Sequence, residues 1–170
     1  MGKGMTEVLC GGGVGKTTLA IGKSIRASAA GKSVIIIQFL KGKERRALDF
    51  LEEMEGLDIK IFRFEKYDTC YEKLKDYEKV EENRNIINGL NFSRKVIATQ
   101  ECDFLVLDEI LGLVDYCITD IQEVKELLKM KDEDMDIILT GRRFYDELNE
   151  SVDRVTRIET EYEAEQEETD

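Results

Sequence analysis

The chain has 170 residues, 42% of them hydrophobic, enough for one domain that buries roughly two-thirds of its unfolded surface without metal or disulfide support. A formal net charge of −12 argues against a nucleic-acid backbone as main partner, and no apolar run nears the ~18 residues of a membrane span. No histidine occurs, which removes imidazole acid–base catalysis and imidazole metal ligation.

Short apolar runs alternate with segments of helical period, the pattern of a parallel sheet with crossover helices. Met5 to Cys10 reads as the first strand, too short an apolar start for a signal peptide. The stretch LCGGGVGKTTL follows, and Lys16 to Ala30 is predicted as a helix ended by Gly31. Ser33 to Phe39 reads as a strand covered on both faces, Glu44 to Glu55 as a helix and Asp58 to Phe64 as a third strand. Glu65 to Lys75 carries no clear signal.

Glu78 to Thr99 is the longest predicted helix, with Ile86, Leu90 and Ile97 on one face. Phe104 to Leu107 is a buried strand running into Asp108 and Glu109. Asp120 to Met130 reads as a helix, Asp136 to Thr140 as a strand, Phe144 to Glu150 as a short helix and Arg154 to Glu159 as a last strand. The expectation is a single α/β domain, doubly wound with a mostly parallel sheet, of the phosphate-loop NTPase or RecA-like type, over residues 1–158. Residues 159–170, with seven acidic and no basic side chains, read as a solvated tail. Cys10, Cys70, Cys102 and Cys117 are too scattered for a zinc site or disulfide framework, so reduced thiols in a cytoplasmic protein are expected.

The glycine loop lies between a predicted strand and helix, where backbone N–H groups and the helix dipole converge on phosphate. Gly11, Gly12, Gly13 and Gly15 permit the close approach; Lys16 supplies a cation and Thr17 a hydroxyl for Mg²⁺. In FLVLDEI, Asp108 and Glu109 stand at a strand's carboxyl end, where a metal is held in open parallel sheets. Usual phosphate-loop spacing puts a glycine where Cys10 stands, and Glu109 is suited to positioning a water, so ATP hydrolysis or kinase chemistry remains open here.

The loop GGGVGKTT, the helix containing Arg26, the strand IIIQFLKG, the segment ERRAL, the strand LVLDEI and the late IILTGR occur in one order. Together they resemble the ATP:corrinoid adenosyltransferases, over about Val8 to Asp146. Loops of that family resemble Gly-x-Gly-Lys-Gly-Lys-Thr-Thr and also lack the usual first glycine, so Cys10 is no defect.

The resemblance implies transfer of the 5′-deoxyadenosyl group of ATP to a Co(I) corrinoid, releasing triphosphate, in cobalamin biosynthesis or salvage. It implies ATP, Mg²⁺ (or Mn²⁺), a flavoprotein reductant and a homodimer, with neither nucleic acid nor membrane as partner. Gly11, Gly12, Gly13, Val14, Gly15, Lys16, Thr17 and Thr18 would cradle the triphosphate, with Arg26, Gln38 and Arg142 as further ATP contacts. Thr17, Glu109 and Asp108 would hold the metal, and Lys16, Thr17 and Glu109 would carry catalysis. Phe62, Phe64, Tyr67 and Tyr71 are the candidate corrinoid contacts.

Three features depart from the family. Val14 replaces a loop lysine, there is no tryptophan, and an acidic tail replaces a basic, histidine-containing segment. They leave open a third reading, a nucleotide- or corrinoid-binding protein without catalysis. Lys41 of QFLKG reads as a solvated turn residue.

Overall fold

The computed structural model describes residues 2–41 and 48–164. Its strands are β1 (Thr6–Cys10), β2 (Val34–Gln38), β3 (Ile59–Arg63), β4 (Phe104–Asp108), β5 (Asp136–Thr140) and β6 (Arg154–Arg157), in the sheet order β3-β2-β4-β5-β1-β6. Every neighbouring pair is parallel. Parallel strands require crossovers, and the helices that supply them are α1 (Lys16–Ala29), α2 (Phe50–Glu53), α3 (Asp76–Ala98), α4 (Ile110–Asp115) and α5 (Ile121–Lys129).

Alternation along the strands divides the core between two faces. Ile35, Ile37, Leu105, Leu107, Ile137 and Leu139 pack with α3, α4 and α5, through Ile86, Ile97, Leu111, Leu113, Val124 and Leu127. Val34, Ile36, Val106, Ile138 and Leu9 face the other way, toward Ala20, Ile21 and Ile25 of α1 and Leu51 of α2. With both faces covered, strands such as VIIIQ and FLVLD are buried at every position.

Small residues let α1 lie close to the sheet. Ala20, Ser24 and Ser28, spaced four apart, form its buried stripe. Ser24 Oγ donates back to the Ala20 carbonyl and Ser28 Oγ accepts from the Asp58 amide, so neither buried hydroxyl is left unpaired. At the start of α3 the Lys75 amide donates to the Glu78 carboxylate at 2.8 Å, and Asp120 caps α5 by accepting from the Glu123 amide at 2.8 Å.

Three elements differ from the sequence expectation. The helix predicted over Glu44–Glu55 is a single turn, Phe50–Glu53, among the described residues; residues 42–47, with most of the ERRAL segment, lie outside them. Phe144–Glu150 forms only a 3-10 turn at Asp146–Leu148, because Tyr145 keeps extended backbone while it and Phe144 pack against the core. The buried helix α4, ILGLVD, was not expected. Its apolar run has no polar face and follows Glu109, whose φ of 65° breaks the chain direction after β4.

Candidate functional site

The parallel register brings the carboxyl ends of four strands to one edge. Gln38 of β2 stands opposite Asp108 of β4, Leu107 opposite Leu139 of β5, and Leu9 of β1 opposite Thr140. The glycine loop leaves β1 at this edge, as ligand sites in open parallel sheets do.

The loop is shaped by contacts on its outer side. The Gly11 amide donates to the Arg142 carbonyl and the Gly13 amide to the Ile158 carbonyl, both at 3.0 Å. A Cβ on Gly11 (φ 111°) would lie 2.2 Å from the Ile158 oxygen, and one on Gly13 would meet the Glu159 backbone at 2.8 Å. Those two glycines are therefore needed for packing against the chain beyond β6. Gly15 (φ 108°) caps α1, and no side chain or acidic residue closes that helix start. The amides of Lys16, Thr17 and Thr18 precede the first intrahelical bond, from Leu19 N to the Gly15 carbonyl, and so remain oriented for an anion. Lys16 Nζ donates to the Gly11 and Gly13 carbonyls at 2.7 and 2.8 Å, drawing the loop around its own ammonium.

Asp108 is the hub of the edge, with no exposed surface. Its carboxylate accepts from Thr17 Oγ1 at 2.9 Å, Gln38 Nε2 at 3.0 Å and Thr140 Oγ1 at 2.7 Å. Thr140 Oγ1 in turn accepts from the Glu109 amide at 2.7 Å and so secures the left-handed backbone that turns Glu109 toward the loop. Lys41, read as a solvated turn residue, is instead partly buried here: its Nζ lies 3.0 Å from Thr17 Oγ1 and 3.7 Å from a carboxylate oxygen of both Asp108 and Glu109.

These oxygens fit a hard divalent cation. Among the described residues no group of three or more acidic, histidine or cysteine ligands assembles. Two carboxylates and a hydroxyl suit Mg²⁺ completed by water and substrate phosphate rather than caged by protein alone.

The other candidates fall in different places. Gln38 accepts from Arg63 Nε at 2.9 Å while donating to Asp108, so both ends of its amide orient the hub. Val14 is 83% exposed on the loop. Arg26 lies in the last turn of α1, roughly 14 Å along the helix axis from Thr17. It lines a separate cavity with Glu7, Lys23, Asp136 and Arg154. Phe62 and Phe64 pack against Phe92 of α3, and Tyr67 donates to Glu81 at 2.7 Å.

Of the four aromatic candidates only Tyr71 lines the cavity of about 320 Å³ that opens beside Lys41 and Glu109. Tyr116 and Arg142 border the same space, and the Tyr71 and Tyr116 rings meet at 5.0 Å between centroids. Burial and a hydrogen bond to Glu72 push the Tyr116 phenol up to about 12, so it stays a neutral donor. Sequence spacing gave no sign of Tyr116, because only the unexpected α4 brings it to the edge.

Behind Lys41 lies Glu65. One of its oxygens accepts from the Lys41 amide at 2.7 Å; the other is buried without a hydrogen-bond partner among the described residues. Burial first, and the charge of Glu82 after it, raise the Glu65 pKa against the lowering effect of the backbone bonds. The folded protein therefore holds this proton more tightly than the unfolded chain. The stabilising contribution is complete below the unfolded value and is lost as pH rises through the folded one. Glu65→Gln keeps an acceptor for the Lys41 amide and removes the ionisation. Thermal melts should coincide with wild type near about pH 4 and show a higher Tm for the variant near about pH 8.

Comparison with known proteins agrees with this geometry. The chain is 26% identical over 157 residues to the corrinoid adenosyltransferase of Escherichia coli (strain K12), covering 92% of this chain and 76% of that protein. It is 26% identical over 156 residues to the corrinoid adenosyltransferase CobA of Salmonella typhimurium, with the same coverage. Among solved structures, the KaiC-like protein PH0186 of Pyrococcus horikoshii OT3 superposes with a TM-score of 0.51 at 20% identity, over 83% of this chain. The chain spans 62% of that archaeal protein, and the likeness is one of fold. A family model matches residues 2–169, and the chain belongs to the ATP:corrinoid adenosyltransferase BtuR/CobO/CobP family.

Proposed function

We propose that the protein transfers the 5′-deoxyadenosyl group of ATP to the Co(I) centre of a corrinoid, in cobalamin biosynthesis or salvage. One observation carries this reading: a nucleoside-sized cavity flanked by Tyr71 and Tyr116 reaches the acidic edge through Lys41 and Glu109, and its Arg142 is bound to the phosphate loop by the Gly11 amide. The triphosphate lies along the loop, with the amides of Gly12, Val14 and Gly15 to Thr18, and Lys16, as its donors. The ribose lies toward Tyr71, Tyr116 and Arg142.

The cobalt electron pair attacks C5′, the C5′–O bond breaks, and its electrons leave on triphosphate. A Co–C bond forms and Co(I) becomes formally Co(III). No proton need move at the reacting atoms, which suits a chain without histidine. Charge instead grows on the leaving triphosphate, where the helix-start amides of α1 are already oriented to stabilise it and Lys16, now held by the Gly11 and Gly13 carbonyls, would turn to it. Thr17, Asp108 and Glu109 would hold Mg²⁺, which supplies Lewis-acid neutralisation of that charge. The neutral Tyr116 phenol, fixed by Glu72, supplies a rigid wall for the substrate side.

The proposal extends to a flavoprotein as the source of the electrons for Co(I), to a homodimer and to a cytoplasmic setting. It is supported by the family and by four free cysteines, two of them exposed. No helix among the described residues is long and apolar enough to cross a membrane. The 1–158 domain would carry the reaction, with 159–170 leaving it beside Gly13; residues 165–170 lie outside the described ones.

The test is anaerobic mixing with MgATP and chemically reduced corrinoid. A light-sensitive alkyl–cobalt spectrum with one triphosphate released per product is the expected result. ADP and phosphate as sole products would replace this reading with an ATPase of the same fold; ATP binding with no product would replace it with a binding protein.

A further inference from the structure

The position of Lys41 has no counterpart in the roles argued so far. Its side chain is 11% exposed, and its ammonium lies among three oxygens contributed by α1, β4 and the turn after β4. The two carboxylate distances are both 3.7 Å, too long for ordinary hydrogen bonds. The ammonium is thus centred between two carboxylates as a point charge, the behaviour of a small cation.

The Thr17 hydroxyl makes the argument sharper. Its proton goes to Asp108 and a lone pair accepts from Lys41. A metal bound through Thr17 needs a lone pair on that oxygen, and two cations sharing the same few ångströms repel strongly. The backbone behind Lys41 is held: Leu40 has φ 59°, the Phe39 amide donates to the Asp108 carbonyl, and the Lys41 amide is bound by Glu65. With the backbone from Phe39 to Lys41 held, exchange falls to the flexible side chain.

We propose that Lys41 is the resident cation of this site: it neutralises Asp108 and Glu109 and holds Thr17 in place before nucleotide arrives. When the metal enters with ATP, the ammonium moves off these oxygens and onto the triphosphate. Lys41 thereby couples the two loadings, since a bare metal must displace a bound charge whereas metal with triphosphate gives that charge a new partner. The inference rests on reading this edge as a metal–triphosphate site.

The test uses the full-length protein, Mn²⁺ followed by electron paramagnetic resonance, and no corrinoid. Without nucleotide, Lys41→Met should bind Mn²⁺ about tenfold or more tightly than wild type, because a unit charge a few ångströms away has been removed. With ATP present the order should reverse, the variant binding MnATP more weakly. Lys41→Gln gives the same comparison should the methionine variant be poorly folded, and the gain in Tm on adding Mg²⁺ should exceed that of wild type in either.

Equal or weaker Mn²⁺ binding by both nucleotide-free variants would overturn the proposal, as would failure of wild type to bind Mn²⁺ even with ATP. Because corrinoid is absent, a negative result leaves the adenosyl-transfer reading standing. Failure of wild type to alkylate cobalt would in turn leave these metal measurements interpretable.

Discussion

Lys16→Ala should lower the rate of alkyl–cobalt formation by about 10²–10³, the loss seen when one preorganised charge-stabilising donor is removed. The fold should survive. Among the described residues Lys16 donates to the Gly11 and Gly13 carbonyls alone, both on the loop itself, so nothing in the two-faced core depends on it. The same variant should lose ATP affinity in equilibrium binding, since the loop keeps its amides but not its cation. Stopped-flow spectra of the cobalt product and calorimetric titration with ATP give the two readouts. An unchanged rate with weakened binding would show that Lys16 acts on ground state and transition state alike, contrary to the leaving-group role.

Asp108→Asn should act on stability and metal use together. The carboxylate accepts from Thr17, Gln38 and Thr140, and an amide in its place must turn an NH₂ toward at least one of them. Gln38 cannot reverse to meet it without losing Arg63, and Thr140, were it to accept from the new NH₂, would lose the acceptor for its own hydroxyl proton. One buried mismatch of this kind costs about 1–3 kcal/mol, measurable by urea unfolding. If the proposed metal site holds, the Mg²⁺ concentration for half-maximal product formation should rise by about 100-fold, because the variant removes a charge from that site and loosens the backbone that aims Glu109. A stability loss with unchanged Mg²⁺ dependence would reduce Asp108 to a structural hub.

Much of this architecture was legible because the strands are covered on both faces. SVIIIQF and FLVLDEI have no polar alternation to confuse them, and the glycines that follow Cys10 mark the turn into α1. The same cause hid α4: ILGLVD is as apolar as a strand, and only the left-handed Glu109 sends it into a helix. The grouping of the candidate residues at one edge was readable where they are contiguous, from Gly11 to Thr18 and at Asp108 and Glu109. Lys41 and Tyr116 were not, since each is placed by a long-range arrangement: a turn anchored by Glu65, and a helix with no sequence signature. Gln38 and Arg26 were named from residue type, and what the sequence did not give is their placement: strand register sets Gln38 against Asp108, and helix length puts Arg26 in the last turn of α1.

The strand that launches the glycine loop lies between β5 and β6. Its edge is tied to them by the Met5 amide on Asp136 and the Thr6 amide on Asp153, separated by 131 and 147 positions. Strand β1 is therefore made long before both of its neighbours and paired late, the ordering that slows folding in non-local topologies. On an emerging chain the glycines would leave the ribosome long before the segments that bend them into a cradle. The loop's shape is thus a product of the whole chain, since the carbonyls that bend it belong to Arg142 and Ile158.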